Sequence, residues 1–174
     1  TQVEGIEVPV KPRPAVLSYC VQLRPPTLTD FMADADRLLG ALEQEYQVKC
    51  RMVDLNVLRH LPRLLRENDW KCQVFVRDNE VICVGPMGTI SVGYAVDIGT
   101  TKIAGYLVNM DTGETLIRKA VMNPQISYGE DIVTRLVQAS ESPAESQRLQ
   151  RLLIEEINRL ADDLSRGIGL KSTD

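Results

Sequence analysis

The sequence predicts an α/β fold in which two units follow one another along the chain. In the first half, short segments of alternating apolar residues, typical of strands, are interleaved with two leucine-rich segments of helical spacing. In the second half, three strand-like segments come in direct succession and two helical segments follow. The stretch GPMG, residues 85–88, is typical of a boundary. We therefore predict a linker at 1–14, an α+β unit at 15–88 and a second unit at 89–174.

The first unit is predicted to begin with a strand and a helix. Three prolines and two basic residues in 1–14 favour an extended linker. Apolar and polar residues alternate over 15–23, as in a strand, until a Pro-Pro pair ends it. Residues 27–30 are predicted to open a helix whose apolar stripe starts at Phe31.

A second helix and a hairpin complete the first unit. Asp54 is predicted to cap the helix, and Pro62 is predicted to break it. Its apolar side is predicted to carry Leu55, Leu58, Leu61 and Leu65. The hairpin covers residues 71–85, with Asp78 and Asn79 as a two-residue turn. This register places on one face Cys72, Val74, Val76, Val81 and Cys83.

The second unit is predicted to be a three-stranded antiparallel meander followed by two helices. The strands are predicted at 92–96, 103–108 and 114–122. One helix is predicted to start near Gly129. The longer one starts at the capping box SPAE, residues 142–145, and its apolar stripe carries Leu149, Leu153, Ile157, Leu160 and Leu164.

Composition excludes several classes of function. The 174 residues carry a net charge of −4 and only 5% aromatic residues, which argues against a nucleic-acid surface. No apolar run approaches the roughly 20 residues of a membrane span. The four cysteines and single histidine lack the close spacing of zinc or iron–sulfur ligands, so we expect no iron–sulfur ligands here and a reduced, cytoplasmic chain. The absence of a signal peptide and of an initiator methionine suggests a fragment of a longer protein.

The turn between the first two strands of the meander carries unusual chemistry. Gly99 lets backbone N–H groups approach a ligand, and the hydroxyls of Thr100 and Thr101 add donors. Asp97 can hold Mg²⁺ directly or through water, and Lys102 can neutralise phosphate charge. The stretch therefore predicts a cradle for nucleotide phosphates and their metal. The alternative is a polar hairpin with threonines at positions that favour strands.

The stretch AVDIGTTKIAGYLVNMDTGE, residues 95–114, resembles the first phosphate motif of the ASKHA superfamily, which includes acetate and sugar kinases and actin. Residues 123–136, NPQISYGEDIVTRL, closely resemble a segment of one family, the ATP-dependent reductive activators of corrinoid-dependent enzymes. The first unit, with DLNVLRHLPRLLRENDW and NEVICVGP, is similar to the middle domain of that family.

The resemblance implies a function for the longer protein. Members of the family have an N-terminal [2Fe–2S] domain, a linker, a middle domain and an ASKHA ATPase domain. They use ATP with Mg²⁺ to return a Co(II) corrinoid on a methyl-transfer protein to Co(I), so the implied partner is a corrinoid protein. By this resemblance, 1–14 is the linker, 15–88 the middle domain and 89–174 the truncated start of the ATPase domain. The remaining nucleotide motifs would lie beyond residue 174, so we expect the isolated chain to be inactive.

The resemblance also assigns roles at the turn. Asp97 would organise Mg²⁺ and its waters, and Gly99, Thr100 and Thr101 would contact the phosphates. Lys102 stands where many superfamily members have a different residue, which leaves its role open.

Two further acids are candidate catalytic residues. Glu130 and Asp131 could polarise water or bind metal. Alternatively, they are acids at a helix N-terminus, where the macrodipole favours them.

The sequence is also compatible with two other functions, and it predicts self-association. The chain could be a docking or spacer module without chemistry of its own, or part of another ASKHA kinase or dehydratase activator. In the superfamily, a strand from later in the chain covers the edge at 92–96. Without it, the bare edge predicts a homodimer or strand exchange.

Overall fold

The computed structural model describes residues 13–170, which divide into two compact units. The first contains residues 13–91 and 110–112, and the second contains 92–109 and 113–170. Both combine helices with a sheet, which confirms the predicted α/β class. The predicted linker at 1–14 lies almost entirely outside the described residues.

The first unit is a four-stranded sheet with two helices. Its elements are β1 (Val16–Gln22), α1 (Asp34–Tyr46), β2 (Met52–Val53), α2 (Leu55–Glu67), β3 (Lys71–Arg77) and β4 (Glu80–Gly85). The strand order is β1-β3-β4-β2, in which β2 runs parallel to β4 and the other pairs are antiparallel. One apolar cluster joins both helices to the sheet, and its fully buried members include Leu38, Leu42, Leu65 and Val74.

The first helix begins later than predicted. Helix α1 starts at Asp34, not at 27–30, and Phe31 is 91% exposed. The Asp30 carboxylate accepts a hydrogen bond from the Met32 N–H and forms a 2.7 Å ion pair with Arg37. These contacts fold the preceding residues into a turn against the first helical turn, because Asp readily bonds nearby backbone.

The second helix confirms its predicted cap but not its predicted break. The Asp54 carboxylate accepts from the Asn56 N–H at 2.7 Å. Helix α2 continues through Pro62, because its buried stripe of Val57, Leu61 and Leu65 packs on both sides of the proline. This buried stripe lies on a different side of the helix from the predicted one. Leu55 and Leu58, which were predicted to belong to it, are exposed.

The hairpin has the predicted turn and pairing of Arg77 with Glu80, but it also contains a bulge. Val76 pairs with Val81, whereas Phe75 pairs with Cys83. An extra residue in one strand moves the following side chains to the other face. The prediction that Cys83 shares a face with Val81 is therefore wrong, and its side chain is exposed.

The second unit is the predicted meander with two α-helices. Its elements are β5 (Val92–Ile98), β6 (Lys102–Asn109), β7 (Thr115–Met122), a 3-10 helix (Pro124–Tyr128), α3 (Ile132–Glu141) and α4 (Pro143–Gly167). The sheet order is β5-β6-β7, entirely antiparallel. The Ser142 cap of α4 is confirmed, since its hydroxyl accepts from the Glu145 N–H at 3.2 Å. The 3-10 helix ends at Tyr128, just before the predicted helix start near Gly129, and α3 begins at Ile132.

Helix α4 covers one face of the meander. Leu160 and Leu164 are buried against Ile103 and Leu107 of β6. Gly105 lies between those two strand residues, and its missing side chain allows the helix to come close. Along the described part of the chain, β5 pairs only with β6 and has no strand on its outer side.

Candidate functional site

The candidate site is the tip between β5 and β6, residues 99–101. The Gly99 N–H donates to the Lys102 carbonyl at 2.9 Å, which closes the turn. A Cβ built on Gly99 would lie 2.7 Å from that same carbonyl oxygen. The structure therefore requires glycine here for the tightness of the turn itself, in addition to any ligand approach.

Asp97 and Lys102 lie on the sheet face opposite α4. Asp97 pairs with Ala104 across the strands, and Ala104 and Lys102 flank Ile103, which points toward α4. Asp97 is exposed, and within residues 13–170 its carboxylate makes no hydrogen bond or ion pair. This carboxylate is consequently available to hold Mg²⁺ through water, and the two threonines beside it are exposed as well.

Each carbonyl of the tip has a donor from elsewhere in the second unit. Asn123 Nδ2 donates to the Gly99 carbonyl at 2.9 Å, and the Asn123 backbone N–H donates to the Thr101 carbonyl at 2.9 Å. Arg135 Nη2 donates to the Thr100 carbonyl at 2.7 Å. These contacts tie the tip to the 3-10 turn and to α3.

Asn123 and Arg135 are buried polar residues that the sequence interpretation missed as individual residues. They are 2% and 4% exposed. Asn123 also caps the 3-10 helix, where its Oδ1 accepts from the Gln125 N–H at 3.0 Å. Arg135 Nε donates to the Gly129 carbonyl at 2.8 Å. One signal in the sequence could have identified them. Both lie in residues 123–136, the segment that resembles the reductive activators, but the resemblance by itself gives no role to either side chain.

The two predicted catalytic acids occupy different environments. Asp131 caps α3: its carboxylate accepts from the Thr134 N–H at 2.8 Å and from the Thr134 hydroxyl at 2.9 Å. Hydrogen bonds from the Thr134 backbone and hydroxyl hold the pKa of Asp131 below its usual value. Glu130 is exposed. The structure thus gives Asp131 a structural contact, and catalytic roles for both acids stay predictions.

The described residues offer no cluster that would hold an iron–sulfur centre. The four cysteines are all free thiols, and burial raises the pKa of Cys72 to about 12. Within residues 13–170, no three His, Cys, Asp or Glu side chains come together as metal ligands. Nor does this part of the chain contain a helix long and apolar enough to cross a membrane.

Comparison with known proteins gives the family. The family model of the RACo linker region matches residues 6–89, and that of the RACo middle region matches 92–174. In that division, "linker" and "middle" name the first and second units. Our interpretation had placed the linker at 1–14 and the middle domain at 15–88. The assignment of 89–174 to an ATPase domain stays a prediction.

Two relatives support this assignment. The chain is 26% identical over 125 residues to the "Corrinoid activation enzyme RamQ" of Eubacterium limosum, covering 70% of this chain and 21% of that protein. It matches a solved "Reductive activator for corrinoid, iron-sulfur protein" with 26% identity and a TM-score of 0.70, over 96% of this chain and 27% of the other. The chain thus spans about a fifth to a quarter of their length. The chain belongs to the RACo family of reductive activators and contains its linker and middle regions.

Proposed function

We propose that this chain is part of an ATP-dependent reductive activator that returns Co(II) corrinoid proteins to Co(I) for methyl transfer. The observation that carries the proposal is the match of 96% of the chain to a solved reductive activator with a TM-score of 0.70. The chemistry of the tip supports it, because its exposed hydroxyls and a carboxylate that has no partner among the described residues suit phosphate and Mg²⁺.

In this proposal the tip binds the nucleotide phosphates. Thr100 and Thr101 contact the phosphate oxygens, and Asp97 orients the waters around Mg²⁺. Lys102 lies on the same face as Asp97 and is half-buried, so it can add positive charge beside the phosphates. A [2Fe–2S] centre held by another part of the complete protein would pass on one electron from a low-potential donor, and one electron reduces Co(II) to Co(I).

The test is an anaerobic assay of the complete natural protein with a Co(II) corrinoid protein, a low-potential reductant and Mg·ATP. The conversion of Co(II) to Co(I) is followed by visible absorption. We expect conversion to require ATP and the Asp97→Asn variant to be about 10- to 100-fold less active, because a group that orients a metal's surroundings is lost. Asp162→Asn, which removes an exposed carboxylate on α4, is the matched control. Conversion that proceeds equally well without ATP would refute the proposed function, and unchanged conversion in the Asp97→Asn variant would refute the role given to Asp97.

A second candidate function is a docking or spacer module, and the independent core of the first unit favours it. Its buried cluster is drawn from residues 21–81 alone, so this unit does not need the tip to fold. Deletion of residues 15–85 should then abolish capture of the corrinoid protein by the complete protein while Mg·ATP still binds. Unchanged capture would exclude docking by this unit.

A further inference from the structure

We propose that Asn123 and Arg135 are positioning residues that set the tip in its anion-binding conformation. The inference rests on the proposed function, because it assigns these residues to the nucleotide site formed by Thr100 and Thr101. Neither side chain needs to contact the nucleotide. Both act by holding the carbonyl groups of the tip.

The first step is the direction of the tip's peptide groups. In a trans peptide, the carbonyl of one residue and the N–H of the next point in opposite directions. The Gly99 and Thr100 carbonyls point toward Asn123 and Arg135, which donate to them. The N–H groups of Thr100 and Thr101 therefore point away from these two donors.

The second step is what those N–H groups can bind. Within residues 13–170, neither the Thr100 nor the Thr101 N–H donates to a backbone carbonyl. Successive outward N–H groups in a turn form a concavity that binds anions. The hydroxyls of the same two residues are exposed beside them. Holding the carbonyls inward thus creates the donor set that a phosphate requires.

The third step is the charge of Arg135. Arg135 is 4% exposed, yet the hydrogen bonds of its guanidinium in the described structure go to two neutral carbonyls and to no carboxylate. Buried charges are normally paired, because desolvation is costly. Asp131 interacts with Arg135 electrostatically, but its oxygens accept from Thr134. An anion bound at the outer side of the tip would provide further compensation.

The experiment measures Mg·ATP affinity in the complete natural protein and two variants. Asn123→Asp keeps the acceptor for the Gln125 N–H but removes the donor to the Gly99 carbonyl. Arg135→Ala removes the donors to the Thr100 and Gly129 carbonyls. We expect each variant to bind Mg·ATP at least about tenfold more weakly. Each loses a hydrogen bond that holds a carbonyl of the tip, and in Arg135→Ala the lost donor is charged. Added guanidinium ion should restore affinity to Arg135→Ala.

Gln125→Ala is the matched control, because Gln125 Nε2 donates to the Leu149 carbonyl of α4 and not to the tip. It should lower the melting temperature without weakening Mg·ATP binding. If the natural protein does not bind Mg·ATP at all, the proposed function and this inference both fall. If it binds, the inference alone is wrong when both variants stay within about twofold of wild type, or when Gln125→Ala weakens binding as much as they do.

Discussion

The close packing of α4 on the meander predicts an energetic coupling between Gly105 and Leu160. A Cβ at position 105 would lie 2.8 Å from Leu160 Cδ2 and 3.0 Å from its Cγ. A third contact, at 3.0 Å, would involve Leu164 Cδ1. Gly105→Ala must therefore displace two leucines that are each 1% exposed.

The magnitudes follow from these contacts. Leu160→Ala should lower the free energy of unfolding by about 2–5 kcal/mol, because it leaves a cavity under the helix. Gly105→Ala should lower it by about 1–3 kcal/mol through overpacking, less about 0.4–1 kcal/mol for the stiffer unfolded chain. In the double variant, the two contacts to Leu160 disappear and the new methyl group fills part of the cavity. The double variant should thus be more stable than the sum of the single changes predicts, by about 1–2 kcal/mol.

The assay is urea unfolding of all four proteins in the cycle, followed by far-ultraviolet circular dichroism. Leu149→Ala combined with Gly105→Ala is the control, because Leu149 is a buried residue of the same helix that is absent from the three closest contacts of the new Cβ. That pair should be additive to within about 0.5 kcal/mol. An additive cycle for Gly105 and Leu160 would refute the proposed contact between helix and strand.

Three further predictions concern charge, thiol reactivity and assembly. Because Thr134 holds the pKa of Asp131 below its usual value of 3.8, the ionised carboxylate stabilises the fold above that pH, and this stabilisation is lost as pH falls through the lowered pKa. The difference in free energy of unfolding between wild type and Asp131→Asn should therefore shrink below pH 3.8, and a constant difference would contradict it. Cys72 is buried with a pKa of about 12, so iodoacetamide at pH 8 should label exposed Cys20 first, and equal rates in the native protein would contradict this. Finally, we expect the isolated chain to dimerise through the outer edge of β5, which contains Ala95. Ala95→Lys should lower the molar mass measured by light scattering toward that of the monomer. A wild-type chain that stays monomeric at high concentration would exclude this dimer.

The strands and helices were largely predictable because their apolar periodicity is local. The bulge in the first unit was not, because one extra residue in β4 leaves no mark in an alternating pattern. The start of α1 was also missed, since the ion pair of Asp30 with Arg37 competes with helix formation at 27–30. In α2, packing of Leu61 and Leu65 outweighs the helix-breaking tendency of Pro62.

The residues that hold the tip were less predictable, because their contacts link distant positions. Asn123 reaches Gly99 across 24 residues, and Arg135 reaches Thr100 across 35. No repeating pattern marks such pairs. The sequence located the turn and its ligand-like side chains, whereas the fold was needed to show what orients its peptide groups.

Helix α3 also reverses the expectation for an amphipathic helix. Its four large aliphatic side chains are 56–65% exposed, whereas Arg135 is buried. The exposed apolar residues are Ile132, Val133, Leu136 and Val137. Hydropathy alone would place Arg135 outward and these residues inward.

The orientation of α3 is therefore a balance between two comparable energies. A hydrogen bond from a charged group contributes about 1.5–3 kcal/mol, and Arg135 makes two to carbonyls. Burial of one large aliphatic side chain contributes about 1.5–3 kcal/mol. Rotating α3 to bury Leu136 and Val137 would gain the free energy of their burial and lose that of the Arg135 hydrogen bonds. The rotation would also release the Thr100 carbonyl. A protein surface covering the apolar side of α3 would remove that competition, so the tip would be held most firmly when α3 is covered.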